Sequence, residues 1–354
     1  MNEIDLKQKR INTIDFLKGI CIFFVLISHY DFSLEQRKIG GFYFWVEMAV
    51  PILMILSGFI WAHSYDKKNV ENLQDCYSPK ILIGKLLRFF IPWLPIYMID
   101  VLIQLIYLKE YDATLYINMF FQGGFGPGSY YFPVMIQLIF IFPILYFVIK
   151  KYNFIGMIGS FLFTFVFELS KSAFFIEEAT YRLLLFRYTF VVGFGCYIYF
   201  LKERIKAGYI IPKLPYLIIG FISMIIGILY LIFTQYVGWN TIITNYWTST
   251  SFIASLLVCF PISIILLFTN ISFKPLEIVG KASYNIFLVQ MTLYLAQGYL
   301  IEKLSLYFSS ELAFVFGFFI MLISNTFIGI CFYLIENRLT NKIINKVNNY
   351  FLNC

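Results

Sequence analysis

Two side chains, His29 and Lys18, bound the chemistry this 354-residue chain could perform. Histidine occurs only twice, as His29 and His63. A neutral imidazole is the group best matched to taking a proton near pH 7. Lys18 stands eleven residues before His29. At about 100° per residue that step makes three turns plus about 20°, so in a helix the two share a face, about 16 Å apart along the axis. Asp15, fourteen residues before His29, falls on the same face. The rest of the stretch, IDFLKGICIFFVLISHY, is apolar. Ionisable groups in such a helix are costly in hydrocarbon and usually look at a partner or a cavity.

A catalytic imidazole is normally oriented by a carboxylate. Glu47, at the start of the next apolar run and at the expected depth of His29, is the candidate. Asp31 is a more solvated rival, and an ion pair with Arg187 is the alternative role for Glu47. Pro51, four residues on, is expected to bend that second helix and free the Glu47 carbonyl. Gly58 reads as a close-packing position, and His63 as an interfacial residue. Lys85 and Arg88 are spaced i, i+3 on one face of a third helix. Snorkelling cations are one reading; with Lys18 they would also make a phosphate clamp for a polyanionic donor. Asp100 is a carboxylate deep in the same helix. A glycine-rich outer loop, Gly123 to Ser129, lacks the preceding strand of a nucleotide fingerprint. It reads as a flexible turn delivering Tyr130 and Tyr131 to a cavity mouth, with Gln137 a turn or two below. Ser283, Gln290 and Tyr294 share one face of a late helix, placed either to bond across helices or to line the cavity that His29 faces.

The elements that must position these groups are membrane helices. The chain is 60% hydrophobic and 13% charged, with a mean hydropathy of +0.78. That composition excludes a soluble enzyme and indicates a polytopic membrane protein. Apolar runs near the 20 residues a bilayer needs fall at 13–31, 42–63, 82–108, 130–149, 153–169, 184–201, 214–234, 249–268, 282–300 and 312–334. The expected fold is therefore an all-α bundle of about ten transmembrane helices in one domain, residues 1–354, with a short C-terminal tail at 335–354. The first run lacks a cleavage site and is expected to be a retained helix. The 27 Lys and Arg against 20 Asp and Glu give +7. In a membrane protein such an excess signals orientation rather than nucleic-acid binding. Under the ten-helix reading, 17 cations flank the side of the termini, 6 the other, and 4 lie inside helices. Both termini are then cytoplasmic. Six scattered cysteines with no CxxC or Cys/His cluster suggest neither a metal site nor a disulfide framework.

The residues now resemble a family. Asp15-Phe-Leu-Lys18-Gly19 followed by His29 is similar to the [Arg/Lys]-x10-His signature of the acyltransferase-3 membrane family, which includes bacterial O-acetyltransferases of surface polysaccharides. VPILMILSGFIW (50–61), Lys85-x-x-Arg88 with Pro92 and Tyr97, and Gly128-Ser-Tyr-Tyr-Phe-Pro-Val resemble its next three motifs. VGKASYNIFLVQ (279–290) and FYLIENRL (332–339) resemble its last two. Lys18 and Lys85 stand where arginine is common, Tyr131 where tryptophan is, and Gln290 where a histidine often ends the motif.

The resemblance implies a multi-pass O-acyltransferase of the cell membrane, in a bacterial plasma membrane. Acetyl-CoA or another short acyl-CoA would be co-substrate, with no permanently bound cofactor. Lys18, Lys85 and Arg88 would bind the acyl-CoA. His29 would act as base or transient acyl carrier, with Glu47 orienting it. Tyr130, Tyr131, Gln137, Arg187, Ser283 and Gln290 would line the acceptor cavity. The expected partners are a glycan or lipid-linked glycan acceptor, membrane lipids and glycan-biosynthesis proteins. The rival class is a proton-coupled transporter or glycan exporter, for which Asp100, Glu47 and Arg187 would be intramembrane charges. No inverted repeat supports it.

Overall fold

The computed structural model describes residues 11–210, 212–239 and 248–350. Every regular element among them is a helix. In chain order these are α1 (Asn12–His29), α2 (Leu34–Ile39), α3 (Ala49–Lys67), α4 (Leu73–Cys76), α5 (Pro79–Ile103), α6 (Ala113–Phe121), α7 (Tyr131–Tyr152) and α8 (Phe154–Ala173). After α9 (Glu178–Tyr181) come α10 (Thr189–Lys206), α11 (Lys213–Leu231), α12 (Leu256–Phe268), α13 (Lys274–Lys281), α14 (Ser283–Leu293), α15 (Gln297–Ser305) and α16 (Ser310–Tyr350). In hydrocarbon every backbone polar group must be satisfied within its own segment, and helices do that.

Seven described helical segments are long and apolar enough to cross a membrane. They are Asn12–His29, Phe42–Lys67, Leu73–Tyr107, Tyr131–Tyr152, Phe154–Lys171, Leu214–Tyr236 and Ser310–Val347. The other three expected runs fall on helices of a different kind. The run 184–201 coincides with α10, whose last turns carry Lys202, Glu203, Arg204 and Lys206. The run 249–268 is α-helical only over the 13 residues of α12. The run 282–300 is divided by a 3-10 turn at Tyr294–Ala296. Lys7, Lys9 and Arg10, three of the cations that orient the chain, lie outside the described residues.

Two local expectations change. The segment 335–354 is not a tail as far as it is described, because α16 continues to Tyr350. No proline or glycine follows Gly329 to stop it, and Glu336, Thr340 and Ile344 recur at four-residue steps on a buried face. Asn285 on α14 donates to Glu336 at 3.2 Å. Nor does Pro51 bend a helix. α3 begins at Ala49, so Pro51 sits in the first turn, where a missing N–H costs nothing, and Glu47 lies in the turn before it.

The bundle is drawn together where helices cross at glycine. A Cβ on Gly58 would collide with the Val192 carbonyl oxygen, and one on Gly195 with that of Ile55, so α3 and α10 touch backbone to backbone. Gly19 against Leu276 and Gly280 against Asp15 make the same contact between α1 and α13. In lipid, where apolar burial does not drive helix association, such close approach supplies the packing energy.

Candidate active site

α1 presents Lys18, Ile22, Val25 and His29 to a single cavity of about 300 Å³. Their steps of four, three and four residues define one stripe of a 3.6-residue helix. α3 contributes Leu53, Ser57 and Trp61, α5 contributes Arg88 and Phe89, and α14 contributes Ser283, Tyr284 and Phe287. Gly128 and Tyr130 from the glycine loop, with Tyr131 and Met135 of α7, complete the wall. Of the residues expected from the sequence, Lys18, His29, Arg88, Tyr130, Tyr131 and Ser283 thus meet in one space.

At the Lys18 end the walls are aromatic and two cations face the cavity. Trp61 lies against Phe89, and Phe89 against Tyr284, with ring centroids 6.4 Å and 5.3 Å apart. The Tyr284 hydroxyl donates to the Phe89 carbonyl at 3.0 Å. Lys85 is not among the lining residues. Its Nζ sits 3.8 Å from the centroid of Tyr65 and 4.2 Å from that of Trp61. The ammonium is buried and has no hydrogen-bond partner among the described residues, so these ring faces are what holds it. Lys85 therefore braces the back of Trp61, while Arg88, one turn on, faces the cavity. Lys68, which the sequence offers only as one of the orienting cations, stands near Arg88 just beyond α3. Burial, then the charges of Arg88 and Lys80, hold its ammonium below the ordinary lysine value.

At the other end the glycine loop is packed rather than flexible. Trp93 donates to the Gly123 carbonyl at 2.7 Å, and Gln290 to that of Pro127 at 3.2 Å. A Cβ on Gly126 would collide with the Met291 backbone. The wedge between α5 and α14 places Gly128, at φ +84°, directly over His29: a Cβ there would stand 3.1 Å from Nε2 and 2.9 Å from Phe287 Cε2. Phe287 meets Tyr131 edge to face at 5.2 Å, and Tyr131 hydrogen-bonds Ser57. Nε2 of His29 therefore faces a narrow slot of glycine backbone and aromatic edges. Neither ring nitrogen of His29 hydrogen-bonds a described residue.

Glu47 is linked to His29 indirectly. Its carboxylate lies 3.8 Å from Arg37 Nη1 and is hydrogen-bonded by Ser249. Arg37 donates to the carbonyls of Ser28 at 2.9 Å and Phe32 at 3.3 Å, which flank His29. A guanidinium placed on the last carbonyls of α1 fixes where that helix ends. Arg37 is the residue sequence reasoning overlooked. Its one signal was position: it falls in a six-residue helix opened by a capping box between Ser33 and Gln36, on the histidine side of the cavity.

Three other candidates serve the scaffold. Gln137 donates to the Leu183 carbonyl at 2.7 Å and accepts from the Leu185 amide at 3.1 Å. Arg187 donates to Thr250 at 2.8 Å and lies over Tyr181 and Tyr188; Tyr188 in turn lies beside Tyr130. Gln290, fully buried, anchors the glycine loop. Asp100 is likewise buried and accepts from Thr292 at 2.5 Å, tying α5 to α14. Glu47 pairs with Arg37 rather than with Arg187.

No curated protein and no solved structure gives a significant match. The family model described as an acyltransferase domain matches residues 11–334. That stretch contains every residue of the cavity, from the lysine that opens it to the histidine that closes it, and this multi-pass membrane chain belongs to the acyltransferase-3 family.

Proposed function

We propose that the protein transfers an acetyl group from cytosolic acetyl-CoA to a hydroxyl of a cell-surface polysaccharide or lipid-linked glycan. The observation that carries this reading is the single cavity joining the Lys18 and Arg88 cations to the His29 imidazole. Phosphates of the donor would sit at the cation end, with the Arg88 guanidinium as the bidentate partner. At about 300 Å³ the cavity is at the small end of ligand sites. It suits the thiol arm and acyl group and leaves the nucleotide at the mouth, beside Lys68. Lys85 supports this end through Trp61 and does not touch donor.

At the far end the acceptor hydroxyl oxygen attacks the thioester carbonyl carbon. A C–O bond forms and the C–S bond breaks. His29 takes the hydroxyl proton at Nε2 and returns it to the departing thiolate. Arg37, supported by Glu47, holds the end of α1 that carries the imidazole. The excess of flanking cations on one side favours ten crossings, cytoplasmic termini and a cytoplasmic Lys18 end, in a bacterial plasma membrane. Transfer would then run from the cytosolic thioester to a hydroxyl on the outer side.

The test is release of CoA from acetyl-CoA by the purified protein, with mass spectrometry of surface glycans from cells with and without it. His29→Ala is expected to abolish both signals while leaving the folded protein in the membrane. Undiminished acylation by that variant would overturn the assignment, and transport without CoA release would favour a carrier.

A further inference from the structure

The slot around His29 has a consequence for which acyl group can react. Four groups close it. Gly128 backbone stands over Nε2, near enough that even a methyl would lie 3.1 Å away. The Phe287 ring edge bounds the same point, 2.9 Å from that methyl position. Tyr131 is held against Phe287 at 5.2 Å and tied to Ser57. Met135, nearly fully buried, lies behind. None is free to withdraw: the glycine loop is wedged by Trp93, Gln290 and Met291, and Phe287 is itself buried.

We propose that Phe287, backed by Tyr131, is the acyl-length gate of this enzyme, and that it restricts the donor to a two- or three-carbon acyl group. This rests on the reading of the cavity as the acyl-donor site. With the thioester carbonyl carbon beside Nε2, the alkyl end of the acyl group must point at the Phe287 edge. An acetyl methyl fits where the slot narrows. A butyryl chain places two more methylenes into the ring, and overfilling a packed wall is unfavourable. The chemistry at the carbonyl is unchanged by chain length. The same C–S bond breaks, the same C–O bond forms, and the proton follows the same route through His29.

The experiment uses the full chain in lipid nanodiscs and needs no acceptor. Bound radiolabelled acetyl-CoA is displaced by unlabelled acetyl-, propionyl-, butyryl- and hexanoyl-CoA, for the wild type, Phe287→Ala and Phe287→Leu. The wild type is expected to prefer acetyl- to butyryl-CoA by at least about tenfold, the size of discrimination a methylene or two gives in an apolar pocket. Both variants should lower that ratio, alanine by about tenfold and leucine by a smaller, measurable factor. Phe287→Leu keeps most of the apolar volume and carries the test if the alanine variant fails to fold. Equal displacement by butyryl- and acetyl-CoA in the wild type, or an unaltered ratio in every folded variant, overturns the gate while leaving the acyltransferase reading intact. Failure of acetyl-CoA to bind the wild type at all removes the donor-site reading and the gate with it.

Discussion

Replacing Gly128 by alanine should disable the site with little damage to the fold. The backbone there has φ +84°, a conformation that costs a residue with a Cβ roughly 1–2 kcal/mol. The added methyl would lie 2.9 Å from Phe287 Cε2 and 3.1 Å from His29 Nε2. The aromatic ring is buried and cannot swing away, so the imidazole or the ring must shift by several tenths of an ångström. Displacing a catalytic group by about 1 Å typically costs on the order of 10²-fold in rate, so a loss of about tenfold to a hundredfold in kcat is expected. Gly124→Ala is the matched control. Its φ is +129°, so the backbone penalty is at least as large, but its methyl would meet Met291 Cε, the end of a flexible side chain, at 2.6 Å. Thermal unfolding of both variants in detergent should show comparable destabilisation, and initial-rate CoA release per folded molecule should fall far more for Gly128→Ala. Equal rates for the two would refute the claim that Gly128 keeps the space at Nε2 open.

Further outcomes follow from the same geometry. Arg88→Ala should raise the KM for the acyl donor at least about tenfold through loss of a charge-assisted contact. Lys85→Ala should instead lower thermal stability by about 2 kcal/mol, the worth of a desolvated cation–π contact, with a smaller change in KM. Arg37→Ala should lower kcat more than it raises KM, since the carbonyls of Ser28 and Phe32 lose their donor, and Arg37→Lys should restore only part. Lys68 titrates below an ordinary lysine because it is partly desolvated and lies near the charges of Arg88 and Lys80. An anionic donor favours its charged form, so donor affinity should be full at lower pH and decline as pH rises through that lowered value. Lys68→Met should flatten the pH profile of KM. Gly58→Ala and Gly195→Ala, each driving a methyl into a facing carbonyl, should cost about 1–3 kcal/mol or more by overpacking, read as reduced folded yield.

Helical periodicity made the central stripe legible in the sequence: Lys18 and His29 share a face in any regular helix, and α1 is regular between them. The apolar runs located the helices, but not their ends. Whether Pro51 kinks a helix or starts one depends on where the preceding turn closes, which the hydropathy pattern does not encode. Lys85 and Arg88 were inseparable for a related reason. They lie 60° apart on one helix, and which one meets the cavity is decided by Trp61 and Tyr65 on α3, packed against Lys85. Arg37 was invisible because it acts from a short non-periodic element on backbone carbonyls, which leave no trace in side-chain spacing. The glycine loop was noticed for its composition and misjudged as mobile. Four glycines in seven residues serve flexibility and tight packing alike, and only its neighbours decide between them.

The glycine crossings of α1 with α13 and of α3 with α10 bear on how the protein can move. Both α1 and α3 wall the cavity, and each is seated backbone against backbone on a partner with no side chain between to act as a bearing. Rocking either helix would pull main-chain surfaces apart at those crossings. On the proposed function, the barrier between the two faces of the membrane would be crossed by the reach of a substrate arm through a stationary frame. Under the proposed transfer the protein would work as a fixed bulkhead with a port through it, and what travels would be the acyl group alone.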